Sequence, residues 1–172
     1  MAVKKSIVRC TWSEGIDPVY MRYHDEECGV PVRDDRVHFE FIVLEAAQAG
    51  LSWWTILRKR EGYRRAFADF DAAKVARFTP RTVDKLMQDA SIVRNRQKIE
   101  AAVANARGFL EIQKEFGTFD RYVWGFVGDK PIVNRWRKQG DVPPTSKESD
   151  ALSKDLKSRG FKFVGSTIIY AH

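Results

Sequence analysis

Apolar residues recur along most of the chain at the three- and four-residue spacing of helices that bury one face. The clearest examples are Val37, Phe41 and Leu44 in one segment and Ile99, Val103, Ala106 and Leu110 in another. The pattern therefore predicts an all-α chain.

Residues that cap helices mark the points at which these helices begin. Asp17-Pro18 combines an N-cap aspartate with a proline at the first helical position. The other predicted starts are Asp34 or Asp35, Ser52, Asp71, Thr79, about Asn95, and Thr118, and glycines 50 and 160 mark two ends. Residues 165–172 are typical of the first turns of another helix that stops in mid-pattern, which suggests a truncated chain.

Length and composition favour a soluble single-domain protein. Its 172 residues fit one domain, and a hydrophobic share of 44% is enough for a sizeable core. No apolar run approaches the roughly 20 residues of a membrane helix, and residues 1–9 lack the pattern of a signal peptide. We therefore expect a cytoplasmic monomer with no membrane partner. The net charge of +7 suits a polyanionic partner but also ordinary solvated helix faces.

Glu45 is the first residue with candidate chemistry. Phe41 and Gln48 lie one turn on either side of it, so its carboxylate is at or near the apolar stripe of its helix. It is either a boundary residue that reaches solvent or an arginine, or a functional group, because an unpaired buried charge is costly. Nearby aromatic residues belong either to the core or to a pocket: Tyr20, Tyr23, Trp53 and Trp54. A carboxylate beside flat rings is what a pocket for an extruded purine requires.

Residues 79–110 are predicted to form a helix, a short turn and a second helix. The turn runs from Asp89 to Arg96 and includes Ser91. Short turns between helices expose backbone N–H groups that suit phosphate binding, and Arg94, Arg96 and Lys98 would add positive charge. The alternative is an ordinary helical hairpin in a bundle.

The cysteines give only a weak metal signal. Cys10 and Cys28 do not make a disulfide framework, so they are either free thiols or metal ligands. A structural zinc takes four ligands, whereas Cys10 and His24 supply two. Cys28 follows His24 by one helical turn and is a possible third.

Five motifs in one order resemble the DNA-3-methyladenine glycosylase I family. They are Arg9-Cys10-Thr11-Trp12, Asp17-Pro18-Val19-Tyr20, the stretch from Tyr23 to Pro31, the stretch from Leu44 to Trp53, and the stretch from Gly160 to Gly165. The resemblance runs from about Val8 to the C-terminus. It implies a helix-hairpin-helix DNA glycosylase fold with the hairpin element at about 80–110. It also implies a small lobe formed by about 1–30 with 145–172.

The same resemblance implies roles for individual residues. Glu45 would hydrogen-bond the modified adenine, Trp53 would stack on it, and Tyr20 and Tyr23 would line the pocket. Cys28 would stand beside the pocket at a position where the family usually has tryptophan. The DNA would be contacted by Gly50, Leu51, Ser91, Arg94 and Lys98, with Leu51 as the apolar wedge that enters the gap left by the base.

The resemblance also implies a structural zinc, although no cofactor for the chemistry. Cys10 and His24 match two of its ligands, and the family takes the other two from a histidine and a cysteine that would follow His172. We therefore expect these 172 residues to hold zinc weakly.

The implied activity is monofunctional base excision from double-stranded alkylated DNA, with release of 3-methyladenine. A glycosylase that also cleaves the strand would need a lysine nucleophile beside the pocket, and no lysine is clearly placed for it. The alternative from another class is a non-catalytic helix-hairpin-helix module that only binds DNA.

Overall fold

A computed structural model describes residues 9–13, 15 and 17–172, and every regular element in this part of the chain is helical. The α-helices are α1 (Pro18–Glu26), α2 (Asp35–Gln48), α3 (Trp53–Ala66), α4 (Ala72–Val75), α5 (Pro80–Leu86), α6 (Arg96–Phe116), α7 (Phe119–Gly125), α8 (Lys147–Ser158) and α9 (Ser166–Ala171). Short 3₁₀ turns occupy Thr11–Ser13, Ala68–Phe70 and Gln139–Asp141. The expected all-α class is confirmed. The residues 1–8 used in the signal-peptide argument lie outside the described part.

The helices begin where the capping residues predict. Asp17 accepts a hydrogen bond from the backbone N–H of Val19, and Asp34 accepts from the first turn of α2. The same kind of side-chain cap opens α3, α4, α5, α6 and α7 at Ser52, Asp71, Thr79, Asn95 and Thr118. Each cap supplies a partner for an N–H that has none inside its helix. Local sequence therefore determines these boundaries.

The core is built around α6, which packs against α2, α4, α5 and α7. Phe109 of α6 stacks on Phe119 with ring centroids 4.2 Å apart and meets Phe39 of α2 edge-on at 5.2 Å. All three rings are almost completely buried, which stabilises the fold by about 1.5–3 kcal/mol for each ring. This packing holds α2, the helix that carries Glu45, in a fixed position.

The segment between α8 and α9 is attached to α6 through a buried asparagine. Asn105 is fully buried; its amide donates to the carbonyl of Lys162 at 3.0 Å and accepts from the Lys162 N–H at 2.7 Å. Ser153 donates to the carbonyl of Val164 at 2.6 Å. Gly108 leaves room for Phe161, whose ring would lie 2.5 Å from an added Cβ. These contacts direct α9 towards α2 and bring His172 beside Glu45.

The turn between α5 and α6 rests on α3. A Cβ at Gly62 would lie 2.3 Å from the carbonyl oxygen of Ser91, so this close approach requires glycine. Lys59 donates to the carbonyl of Ala90 at 2.7 Å, and the Tyr63 hydroxyl accepts from the Val93 N–H at 3.2 Å. The predicted helix, turn and helix are thus present, and α3 supports the turn.

In the described residues, no helix is both long enough and apolar enough to cross a membrane. The division into a main body and a terminal lobe of 1–30 with 145–172 stays a prediction.

Candidate active site

Glu45 lies near the C-terminal end of α2 with only 5% of its surface exposed. Its Oε2 is 3.0 Å from Nδ1 of His172. Burial raises the pKa of the Glu45 carboxyl, whereas the charge and hydrogen bond of His172 act in the opposite direction. Of the alternatives that the sequence left open, the solvent-reaching boundary residue is therefore wrong: the carboxylate is buried and its partner is a histidine.

Three aromatic rings stand together next to this carboxylate. The ring centroid of Tyr23 lies 5.5 Å from that of Trp53 and 6.5 Å from that of Phe41, and Phe41 and Trp53 are 6.3 Å apart and nearly parallel. Burial raises the pKa of the Tyr23 hydroxyl, and the charge of Glu45 adds to the effect. Since Tyr23 and Glu45 interact in this way, the carboxylate and the three rings form one site.

Tyr20 and Cys28 lie at the side of this cluster. Tyr20 packs against Trp12 with centroids 5.1 Å apart. Cys28 is exposed, yet a thiolate there would raise the pKa of both Tyr20 and Tyr23, which puts it near both hydroxyls. The rings and the thiol together are consistent with one wall of a pocket.

Trp53 and Trp54 share an unusual feature. Within the described residues, both indole Nε1 atoms are buried without a hydrogen bond of ordinary geometry, although the Trp53 side chain is close enough to the Tyr23 hydroxyl to act on its pKa in the lowering direction. Trp54 differs from Trp53 in its surroundings, because the Arg58 guanidinium lies 4.8 Å from its ring centroid. Trp53 alone of the two contacts Tyr23 and Phe41.

The loop after α2 presents an exposed leucine. Gly50 has φ +76°, a left-handed conformation that favours glycine. The Leu51 N–H donates back to the Gln48 carbonyl at 2.6 Å, and the Leu51 side chain is 41% exposed. Ser52 then caps α3. This tight turn places an apolar side chain at the surface beside the aromatic site, as a wedge would need.

The cations of the α5–α6 turn differ in their partners. Arg94 is exposed, whereas Arg96 pairs with Asp84 at 2.6 Å. Ser91 is half-buried against Gly62. Lys98 directs its ammonium at the carbonyls of Ala47 and Ala49, where α2 ends. These carbonyls attract a nearby cation because the last carbonyls of a helix lack partners within it. The DNA contact of Lys98 stays a prediction.

Comparison with known proteins identifies the family of this chain. A family model described as methyladenine glycosylase matches residues 12–172. This chain belongs to the methyladenine glycosylase family. It is 48% identical over 163 residues to DNA-3-methyladenine glycosylase 1 of Escherichia coli (strain K12), covering 95% of this chain and 87% of that protein. The resemblance inferred from the five motifs is confirmed.

Solved structures of methyladenine glycosylases have the same fold. A crystal structure of 3-methyladenine DNA glycosylase I gives a TM-score of 0.92 at 45% identity and covers 95% of this chain and 90% of that one. A tyrosine-to-phenylalanine variant of such an enzyme, solved in complex with 3-methyladenine, also gives 0.92, at 39% identity, with 96% and 88% covered. The glycosylase fold expected from the sequence is therefore confirmed.

The zinc site implied by the methyladenine glycosylase resemblance is only partly represented in the described residues. The Cys10 N–H donates to Nε2 of His24 at 3.2 Å, and Nδ1 of His24 lies 3.0 Å from Asp25. In 9–13, 15 and 17–172, no three His, Cys, Asp or Glu side chains converge on a point where a metal could sit. These residues alone do not fit a tetrahedral zinc, which takes four ligands.

Sequence reasoning missed three members of the site. Phe41 precedes Glu45 by one helical turn and could have been assigned to the pocket from that spacing. His38 precedes Glu45 by about two turns on the same face of α2, so a signal for it was also present. His172 is separated from Glu45 by 127 positions, and no local pattern links the two.

Proposed function

We propose that this methyladenine glycosylase family member flips 3-methyladenine out of duplex DNA and hydrolyses its N-glycosidic bond. The observation that carries the proposal is the buried carboxylate of Glu45 beside the rings of Tyr23, Phe41 and Trp53. The solved relative that holds 3-methyladenine supports the same substrate. The exposed Leu51 on its tight turn supports a wedge that fills the gap left by the flipped base.

The substrate itself explains why such a site is sufficient. Methylation at N3 gives the base a positive charge while it is attached to deoxyribose, so the bond from C1′ to the base is weakened. Water forms the new bond to C1′, the glycosidic bond breaks, and its electron pair neutralises the departing base. The proton lost by the water goes to solvent. The protein therefore needs to recognise and hold the cation more than to donate a proton.

Glu45 and the rings would each favour this cation. A carboxylate accepts a hydrogen bond from the exocyclic N6–H group of adenine, whereas guanine presents a carbonyl oxygen there and would be repelled. Stacking a cationic base between rings contributes about 0.5–2 kcal/mol of cation–π attraction. A poorly stacked methylated base also costs less to flip. The site thus selects for adenine and for positive charge together.

The same geometry supports a monofunctional enzyme. A lyase would need an unprotonated lysine beside the sugar. Lys98 approaches the end of α2, but its ammonium donates to the carbonyls of Ala47 and Ala49. We therefore infer that the product is an abasic site in an uncleaved strand.

Base release from methylated DNA tests the proposal. Duplex DNA treated with a radiolabelled methylating agent is incubated with the protein, and the released bases are separated and identified. We expect free 3-methyladenine, little 7-methylguanine and no protein–DNA adduct after borohydride reduction. Binding to duplex DNA without any base release would support the alternative of a non-catalytic DNA-binding module. Borohydride-trapped adducts would contradict the monofunctional mechanism.

A further inference from the structure

Four ionisable side chains form a row that begins at Glu45 and ends at Asp120. Oε2 of Glu45 is 3.0 Å from Nδ1 of His172, and Nε2 of His172 is 3.2 Å from Nδ1 of His38. Nε2 of His38 is then 3.4 Å from Oδ1 of Asp120. The side chains of Glu45, His172 and His38 are 6%, 4% and 5% exposed, and that of Asp120 is 19% exposed. The row thus joins the buried carboxylate to one that reaches solvent.

The number of hydrogens in this row determines its charge. A carboxylate can only accept, and a neutral imidazole has one donor and one acceptor nitrogen. With both carboxylates ionised, the row has three contacts but only two N–H hydrogens, so one contact brings two acceptors together. One additional proton gives each of the three contacts a hydrogen to donate. While both carboxylates are ionised, this proton is on a histidine, so one of the two is an imidazolium.

We propose that His172 and His38 share one extra proton and act as positioning residues that keep Glu45 ionised and correctly oriented for the base. This inference rests on the proposed function only in assigning the base to Glu45. His172 binds Oε2, which leaves Oε1 as the oxygen for the base. The positive charge on the pair offsets the burial of the carboxylate.

The surroundings put this charge on His172. Burial and the neighbouring His172 lower the pKa of His38 to about 4, although Asp120 and Asp35 act in the opposite direction. His38 is therefore neutral at physiological pH and donates from Nε2 to Asp120. The hydrogen count then assigns the extra proton to the other histidine, His172, whose Nδ1 lies directly against Oε2 of Glu45.

Other charged groups near the row also matter for its titration. Arg33 lies 3.6 Å from Asp120 and compensates its negative charge. Asp35 is near His38 but accepts three hydrogen bonds: from the Gln113 amide and from the N–H groups of Phe119 and Asp120. Lys147 and Glu148 line a groove that His38 and His172 also line, and Tyr23 faces Glu45 from α1. None of these groups replaces the His172 contact with Glu45.

The expected pH dependence follows from this arrangement. Base recognition requires ionised Glu45, so it is present above the pKa of Glu45 and is lost as the pH falls through that value. Removing His172 removes both a donor and a positive charge, and the pKa of Glu45 then rises further. In a plot of base affinity against pH, the acid limb is the part in which affinity falls as the pH is lowered. This limb should therefore move to higher pH.

Two substitutions at His172 separate charge from orientation. His172→Phe removes both, whereas His172→Gln keeps an N–H donor without the charge. We measure the affinity for free 3-methyladenine from pH 5 to pH 9, with Glu100→Gln on the exposed surface of α6 as control. The titration of 3-methyladenine itself is common to all variants and cancels.

For His172→Phe we expect the acid limb to move up by about one pH unit or more, with about tenfold weaker binding at neutral pH and recovery above it. His172→Gln should shift the limb less, and His38→Leu should shift it in the same direction.

Imidazole nitrogen NMR of ¹⁵N-histidine-labelled wild-type protein tests the proton itself. The described histidines are His24, His38 and His172, and single substitutions assign them. We expect His172 to show two protonated nitrogens at neutral pH and His38 to show one. Two neutral imidazoles in the row, or an acid limb that stays in place in both His172 variants, would overturn the inference. The NMR result describes the wild-type protein and does not depend on catalysis. It therefore distinguishes this inference from failure of the proposed function, which would appear as absence of base release by the wild-type protein.

Discussion

Nζ of Lys98, in the first turn of α6, lies 2.8 Å from the carbonyl oxygen of Ala47 in the last turn of α2. The same ammonium donates to Ala49, and Gly50 and Leu51 follow directly. Burial lowers the pKa of this lysine. The Lys98 side chain therefore connects the start of α6 to the loop that carries Leu51. The α5–α6 turn and this loop, both expected to contact DNA, are held in one relative position.

Lys98→Met should uncouple these surfaces while keeping an unbranched side chain. We expect at least tenfold slower single-turnover excision from duplex DNA and unchanged affinity for free 3-methyladenine. The loss of partners for two carbonyls should lower the free energy of unfolding by about 1–3 kcal/mol. Lys114→Met, at an exposed lysine on the same helix that pairs with Glu111, is the control. An equal loss of base affinity would show that Lys98 supports the pocket rather than the loop.

Arg94→Gln should weaken duplex binding through a lost phosphate contact. The slope of log affinity against log salt should flatten by about one unit. Arg96→Gln is a matched control in the same turn, because its charge already pairs with Asp84 and its substitution should change the slope less. If both variants keep the wild-type slope, the turn does not bind phosphate.

Glu45→Gln keeps the shape of the side chain but removes its charge. We expect base affinity and excision to fall by at least tenfold, since a hydrogen bond to a charged group is worth about 1.5–3 kcal/mol. Duplex affinity should change little, because phosphate contacts come from other residues. Parallel measurements of both affinities decide this point, and an equal fall in the two would make Glu45 a structural residue.

Trp53→Ala should remove a stacking surface from the pocket. The expected loss of base affinity is about 1–3 kcal/mol. Trp54→Ala is the neighbouring control, since that ring faces Arg58 and lies outside the Tyr23–Phe41 cluster. Binding is measured on protein that circular dichroism shows to be folded. Similar losses in both variants would reflect a general effect on α3.

The 172-residue polypeptide should bind zinc weakly. Cys10 and His24 supply two ligands, and two ligands completed by water hold zinc far less firmly than four. Elemental analysis of the purified protein should find well below one zinc per chain. One zinc per chain would contradict this expectation, and repeating the analysis on Cys28→Ser would then show whether Cys28 is a third ligand.

The sequence alone was sufficient for the helices and for part of the site. Capping by Ser52, Asn95 and Thr118 is local chemistry within four residues of the chain, so the starts could be predicted without knowing the fold. The place of Glu45 at or near an apolar stripe left its burial as one of two alternatives, and the family resemblance supplied its role. Gly50 could be recognised as a helix end because few other residues adopt its backbone conformation.

Only the tertiary structure decided which partners these residues have. Helical spacing places Glu45 on the buried side of α2 but contains no information about a histidine in α9, whose position depends on the Asn105 contacts and on the packing of Phe161 against Gly108. The partners of Lys98 were likewise not visible in the sequence. Its charge can be read there, whereas the carbonyls of α2 that it binds are brought close only by the packing of α2 on α6. Hydrogen bonds between distant segments depend on the three-dimensional path of the backbone, and no local pattern of residues encodes that path.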